Sequence, residues 1–117
     1  MSPCYVGERV ARRIVYRRSG GWCEGCDKRP ATDWHHRLNR SQGGLWQASN
    51  GLHLCPACHW WVTHHPIAAH DRFGWHCEPH EVPARARVWL ARRGWCLLSD
   101  PGDVTPVDDD PALLHPW

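Results

Sequence analysis

Phenylalanine, methionine and tyrosine are scarce in this chain of 117 residues, which contains one Phe, one Met and two Tyr. A single domain of this length builds only a modest hydrophobic core, and the scarcity limits that core further. Long apolar runs are also missing: no stretch approaches the roughly 18 apolar residues of a membrane span. Residues 1–13 lack the apolar centre of an export signal. These absences predict a soluble, single-domain protein of the cytoplasm.

Cysteine, histidine and tryptophan are abundant instead, with seven, ten and nine copies. A small domain rich in Cys and His often gains folding free energy from a bound metal ion, although domains of this size also fold without one. Four of the cysteines form two C-x-x-C pairs, Cys23 with Cys26 and Cys55 with Cys58. In a reducing compartment such pairs favour metal thiolates over disulfides. We therefore expect one structural zinc ion in a tetrahedral cage of four sulfurs.

The net charge of +2 conceals an uneven distribution along the chain. Residues 1–60 contain nine Lys or Arg against four acidic residues, whereas residues 61–117 contain five against eight. A basic half of this kind predicts a surface for a polyanion, although a merely solvated surface gives the same composition. The arginines of interest are Arg12, Arg13, Arg17, Arg18, Arg37 and Arg40.

The order of elements predicts an α+β fold in one domain over residues 1–107. A basic helix precedes Gly20 and Gly21, a strand covers "ATDWHHRL", and a helix runs over about Ala57–Thr63. A short helix follows in "PIAAHDRF", and a β-hairpin is expected at about 84–107. Residues 108–117 are acidic and without periodicity, which predicts a flexible tail.

Two adjacent histidines, His35 and His36, stand on the predicted strand, so their side chains point to opposite sides. One imidazole can therefore bind a metal ion while the other acts as general base on a water. His59 directly follows Cys58, so zinc in the cage would fix the helix that carries His59. A lone histidine is more often a core or surface residue. The joint arrangement predicts that His35 and His59 converge on one divalent ion.

These residues together resemble the HNH endonucleases, which have a ββα-metal core. The resemblance rests on His35, His36, Asn50 and His59, framed by the four cysteines, and on the loop "RSQGG", which is similar to a motif of nuclease colicins and phage HNH proteins. It covers residues 20–66, about 40% of the chain. The C-terminal "RGWCLL" and "VTPV" show a weaker likeness to small actinobacterial and phage members.

The resemblance implies a role for each matching residue. His36 would be the general base, His35 and His59 would bind a catalytic Mg²⁺, Mn²⁺, Ni²⁺ or Zn²⁺ ion, and Asn50 would hold the loop and orient the base. A simple turn or helix-cap role for Asn50 stays open. Many members carry a third histidine ligand four residues after the helix histidine, but here that position is Thr63. Asp33 is an additional candidate, either as a ligand or as a partner of one.

The implied activity is hydrolysis of DNA phosphodiester bonds to 5′-phosphate and 3′-hydroxyl ends, by nicking or double-strand cleavage. The six arginines would bind the phosphates of double-stranded DNA without reading its sequence. The likeness to phage proteins implies a phage or prophage origin in a bacterial cell and an association with terminase or packaging proteins. Two alternatives remain, a non-catalytic zinc-knuckle DNA-binding module and a phage assembly protein that keeps the fold without cleavage.

Overall fold

A computed structural model describes residues 7–107, which form an α+β structure with two small antiparallel sheets. The helices are α1 (Gly7–Ser19), α2 (Pro56–His64) and α3 (Pro66–Phe73). The strands are β1 (Asp33–His36), β2 (Gly51–Leu54), β3 (Val88–Leu90), β4 (Gly94–Leu98) and β5 (Val104–Pro106). Short 3₁₀ turns cover Arg40–Gln42, Ala48–Asn50 and Pro83–Arg85. Within this described part, no helix has the length and apolar character needed to cross a bilayer.

The first sheet pairs β1 with β2 and leads directly into α2. His35 lies opposite Leu52 and His36 opposite Gly51 in the antiparallel register. A Cβ atom at Gly51 would overlap the Trp34 ring, so glycine lets this ring lie flat across the hairpin. Only Cys55 separates β2 from α2, which begins with Pro56 at its first position. Strand, strand and helix therefore follow one another, so that His35 of β1 and His59 of α2 lie beside a common space.

The basic helix predicted before Gly20 is confirmed. Ala11, Val15 and Ser19 are buried, whereas Val10 is 37% exposed. The helix ends as predicted at Gly20, whose φ of 65° lies in the left-handed region. Small side chains on the buried face allow α1 to approach β2 closely.

The C-terminal hairpin prediction is incomplete, because the structure has three strands there. β3 and β4 pair as an antiparallel hairpin, and β5 then pairs along the other side of β4. Gly102, with a φ of 107°, reverses the chain between β4 and β5. The predicted acidic tail at 108–117 lies outside the described residues.

The core combines aliphatic side chains and cysteines with a group of three aromatic rings, Phe73, Trp75 and Trp89. Phe73 and Trp75 stack at a centroid distance of 4.2 Å, and both are at most 2% exposed. The indole Nε1 of Trp75 donates to the carbonyl of Trp89 at 2.7 Å, so its polar atom is satisfied inside the core. Cys23 and Cys55 belong to the same buried cluster. The predicted cysteine cage is thus continuous with the hydrophobic core.

Arg18, predicted to contact DNA, is instead an internal residue, with 1% of its side chain exposed. Its guanidinium donates two hydrogen bonds of 2.8 Å to the carboxylate of Glu24. It also donates to the carbonyls of Ala48 and Gly51 at 2.8 and 2.6 Å. Because these partners lie in the loop after α1 and at or just before the start of β2, Arg18 fastens α1 to the first sheet and is not available to phosphate.

Arg37 also departs from its predicted role as a phosphate contact, since it is 0% exposed. Its guanidinium donates only to main-chain carbonyls, at 2.9 to 3.4 Å, from three separate segments. The acceptors are Ser49, Gly74, Pro83, Ala86 and Arg87. Complete burial lowers the pKa of Arg37 from its ordinary value, yet a guanidinium stays charged at neutral pH. Arg37 therefore links the end of β1 to the C-terminal half.

We expect Arg37→Met to destabilise the fold by about 3 kcal/mol or more, because buried carbonyls would lose a charged donor without gaining another. The matched control is Arg40→Met, at an exposed arginine three residues later, which should change stability by about 0.5 kcal/mol or less. Urea denaturation followed by tryptophan fluorescence measures both. Equal unfolding midpoints for the two variants would contradict an internal role for Arg37.

Candidate metal centre and histidine cleft

Four cysteine sulfurs meet where the loop after α1 touches the start of α2. The Sγ atoms of Cys23, Cys26, Cys55 and Cys58 all lie within 4.8 Å of one another, and those of Cys26 and Cys55 are 3.9 Å apart. A tetrahedral zinc ion with bonds of about 2.3 Å requires sulfurs roughly 3.8 Å apart. The spacing of the four sulfurs therefore fits a structural metal ion such as zinc, as the sequence predicts.

Each C-x-x-C pair forms a tight turn in which a main-chain N–H points at the first sulfur. Cys26 N donates to Cys23 Sγ at 3.5 Å, and Cys58 N donates to Cys55 Sγ at 3.4 Å. Donors of this kind stabilise thiolates. A hydrogen bond from the Cys58 thiol lowers the pKa of Cys23 to about 4, while the same bond and burial raise the pKa of Cys58. Four thiolates this close together would repel one another, so a cation would be needed to hold all four.

The rings of His35 and His59 lie near each other between β1 and α2. Their ring centroids are 5.5 Å apart, and His35 is 7% exposed. Cys55 caps α2 and Cys58 lies in its first turn, so the cage sets the position of His59, the next residue. Because the two cysteine turns meet in the cage, α2 is held where His59 comes close to His35 of β1.

A hydrogen bond to one nitrogen of each of these rings fixes its orientation. His35 Nε2 donates to the carbonyl of Trp75 at 2.6 Å, and His59 Nδ1 donates to the carboxylate of Asp33 at 2.9 Å. In the neutral form of each ring the other nitrogen carries a lone pair, as in a metal-binding histidine. Burial lowers the pKa of His35 to about 3, against the raising effect of the Trp75 carbonyl. Hydrogen bonds from His59 and Thr32 lower the pKa of Asp33, so this carboxylate is ionised.

His36 points to the other side of β1, where it packs among aromatic rings. Its ring lies 4.5 Å from that of Trp46 and 5.9 Å from that of Trp34, measured between centroids. Its Nε2 is buried without a hydrogen-bond partner, and across residues 7–107 its ring forms no hydrogen bond. Burial lowers the pKa of His36, and the charges of Arg40 and Arg12 act in the same direction. The ring is therefore neutral at pH 7.

Asn50 closes the loop between the two strands and is fully buried. Its Oδ1 accepts from the N–H of Leu38 at 2.7 Å, and its Nδ2 donates to the carbonyls of Leu38 and Leu45 at 3.2 and 3.1 Å. The implied role of holding the loop is therefore visible in these contacts. Its amide makes no contact with the His36 ring, so orientation of that ring comes from the packed tryptophans.

The three histidines line one cleft of about 350 Å³, which we call the histidine cleft. Arg40, Thr63 and His76 are also among its lining residues. Thr63 donates its hydroxyl to the carbonyl of His59 at 2.9 Å, so it is bonded to its own helix. His76 was not predicted from the sequence, because nothing in its local pattern distinguishes it. Only the course of the chain after α3 brings it to this cleft.

The remaining predicted arginines are exposed, and two of them flank the cleft. Arg12, Arg13 and Arg17 are exposed on α1, and Arg40 is exposed in the loop. The guanidinium groups of Arg12 and Arg40 lie 4.9 and 5.9 Å from the Trp46 ring centroid. Two cations thus border the aromatic side of His36, where a cation–π contact limits their freedom.

The histidine cleft is more open than the cysteine cage. Among the described residues, the four cysteines are the only group of three or more His, Cys, Asp or Glu residues whose ligand atoms lie close enough together to hold one metal ion. A second metal ion would therefore have to draw the imidazoles of the cleft together by side-chain rotation. No protein-family model, curated protein or solved structure matches this chain significantly.

We expect the purified protein to contain one zinc ion per chain and to unfold when the ion is removed by a strong chelator. Cys58→Ser should lose the ion, because three thiolates hold zinc less tightly than four, and should lower the melting temperature. Cys96→Ala is the matched control, since Cys96 is a buried cysteine outside the cage. Elemental analysis and thermal unfolding measure both properties. Full zinc content in Cys58→Ser, or an unchanged melting temperature after chelation, would contradict a structural metal.

Proposed function

We propose that this chain is a metal-dependent endonuclease of the HNH type, which hydrolyses phosphodiester bonds of double-stranded DNA. The observation that supports this proposal most strongly is a division of roles among three histidines of one cleft. His35 and His59 each have one nitrogen held by a hydrogen bond, whereas the His36 ring, within the described residues, has none. Two rings are thus prepared to bind a cation, and the third is prepared to accept a proton.

The donor set of the cleft fits a divalent cation. His35 would use Nδ1 and His59 would use Nε2, because the opposite nitrogens are bonded to the Trp75 carbonyl and to Asp33. A carboxylate behind a histidine is a frequent arrangement at metal sites and raises the basicity of the ligand. When bound, the cation would neutralise charge on a non-bridging phosphate oxygen and on the leaving 3′ oxygen.

His36 is the proposed general base. Its Nε2 is enclosed by protein, so Nδ1 is the nitrogen that would take a proton from the attacking water. The water oxygen bonds to phosphorus, the bond from phosphorus to the 3′ oxygen breaks, and solvent supplies the proton of the leaving hydroxyl. The products are a 5′-phosphate and a 3′-hydroxyl. Packing against Trp34 and Trp46 would hold the ring in place during this transfer.

The exposed arginines would hold the DNA backbone over the cleft. Arg12 and Arg40 flank the His36 side, and Arg13 and Arg17 extend the same positive charge along α1. Contacts of this kind position the phosphates without reading the bases. Arg18 and Arg37 are not included, since both are internal.

A non-catalytic DNA-binding or phage assembly protein is the second candidate. The open arrangement of the histidine cleft and the threonine at position 63 favour it. A protein that only binds DNA needs neither a closed catalytic metal site nor a histidine ligand at that position. Such a protein would keep the cysteine cage and the exposed arginines. Association with phage terminase, a phage or prophage origin and a cytoplasmic location stay predictions that rest on the resemblance and the sequence.

The nuclease proposal is tested with supercoiled plasmid in Mg²⁺, Mn²⁺ or Ni²⁺. We expect nicking or linearisation that chelation stops and that His36→Ala slows by about 10²-fold or more, the usual contribution of a general base. His64→Ala is the matched control, because His64 is exposed on α2 and bonded to its own helix. Uncut plasmid that is still retarded on a gel would favour the second candidate, and equal cleavage by His36→Ala would exclude His36 as the base.

The phosphate contacts are tested by the salt dependence of DNA binding. Arg13→Ala and Arg40→Ala should each reduce the slope of log affinity against log salt by about 0.9, because each removes one phosphate contact. The control is Arg72→Ala, an exposed arginine on α3 outside the predicted set. Fluorescence anisotropy with a labelled duplex at several KCl concentrations gives the slopes. Unchanged slopes in both variants would remove these arginines from the interface.

A further inference from the structure

We infer that His76 is a third protein ligand of the divalent ion in the histidine cleft and that the ion is one that prefers nitrogen ligands. This inference rests on the proposed function, because it concerns the same cation. It goes beyond the resemblance, which implies a third histidine on α2, where this chain has Thr63.

The main chain on both sides of His76 is fastened to β1. The carbonyl of Trp75 accepts the hydrogen bond from His35 Nε2 at 2.6 Å, and the N–H of Cys77 donates to the carbonyl of Arg37 at 2.7 Å. Both neighbours are buried, at 2% and 1% exposure, whereas His76 is half-buried. The position of His76 beside β1 is therefore determined by the same residues that orient His35.

The His76 side chain faces open space on both sides. It lines the histidine cleft and also a second cavity of about 420 Å³, so it forms part of the wall between them. Across residues 7–107 its ring forms no hydrogen bond. Both of its nitrogens are therefore available to a ligand in the cleft.

No other residue of the cleft fits the third position equally well. The Thr63 hydroxyl donates a hydrogen bond to the carbonyl of His59 in the same helix. His64 and His65, the next two residues, each bond through Nδ1 to a carbonyl of α2. No acidic residue is among those that line the cleft in the described chain. His36 packs against the Trp34 and Trp46 rings with its Nε2 enclosed, so His76 is the remaining imidazole.

A set of three imidazoles predicts which ions bind. Neutral imidazole suits Zn²⁺, Ni²⁺ and Co²⁺, whereas Mg²⁺ prefers oxygen ligands in octahedral geometry. Asp33 does not alter this preference, because its carboxylate is engaged by His59 Nδ1. The cleft should thus bind Ni²⁺ far more tightly than Mg²⁺, with water in the remaining positions.

Calorimetric titration of the zinc-loaded protein with Ni²⁺ tests the inference without relying on activity. We expect one Ni²⁺ per chain beyond the zinc, with an affinity that His76→Gln lowers on the order of 10-fold to 100-fold or more. His64→Gln, at an exposed histidine outside the cleft, should leave it unchanged. Zinc content and circular dichroism confirm that each variant is folded.

Wild-type protein loaded with Co²⁺ in the cleft provides a second measurement, which keeps the inference testable if His76→Gln does not fold. Proton NMR should show three imidazole rings with paramagnetically shifted signals. Two shifted rings, or equal Ni²⁺ affinity in wild type and His76→Gln, would overturn the role of His76 while leaving the nuclease proposal intact. Absence of any second ion in the wild type, with or without DNA, would overturn both.

Discussion

The contact between two cysteine turns, at residues 23–26 and 55–58, is the constraint on which the candidate site depends. Four sulfurs within 4.8 Å of one another connect the loop after α1 to the first turn of α2. His59 is the residue after the last of these cysteines, and its ring meets that of His35 between β1 and α2. A metal ion that holds the sulfurs would therefore also hold the geometry of the histidine cleft.

Two buried arginines also hold separate elements of the fold together, through hydrogen bonds. Arg18 joins α1 to the first sheet, and Arg37 joins the end of β1 to five carbonyls of distant segments. In a chain with one Phe and one Met, charged side chains replace some of the apolar contacts that would normally hold these elements. The free-energy cost of desolvating the two guanidinium groups is offset because each donates several hydrogen bonds to otherwise unpaired groups.

The sequence predicted those features that depend on local pattern. Proline and glycine mark the ends of α1, α2 and α3, the C-x-x-C spacing predicts the cage, and the alternation of a strand separates His35 from His36. It could not distinguish Arg37 from Arg40, because both follow the histidines in one basic segment and only the packing of residues 74–87 buries the first. Nor could it find His76, whose place in the cleft depends on hydrogen bonds between residues 75–77 and β1.

The most direct test of the account is anomalous diffraction from crystals soaked in Ni²⁺, recorded at the zinc and nickel absorption edges. The account predicts a zinc peak among the four cysteine sulfurs and a separate nickel peak within bonding distance of His35 Nδ1 and His59 Nε2. A zinc peak in the cage without a nickel peak in the histidine cleft would contradict a catalytic metal site there. The chain would then be a zinc-stabilised fold whose histidines serve only in packing.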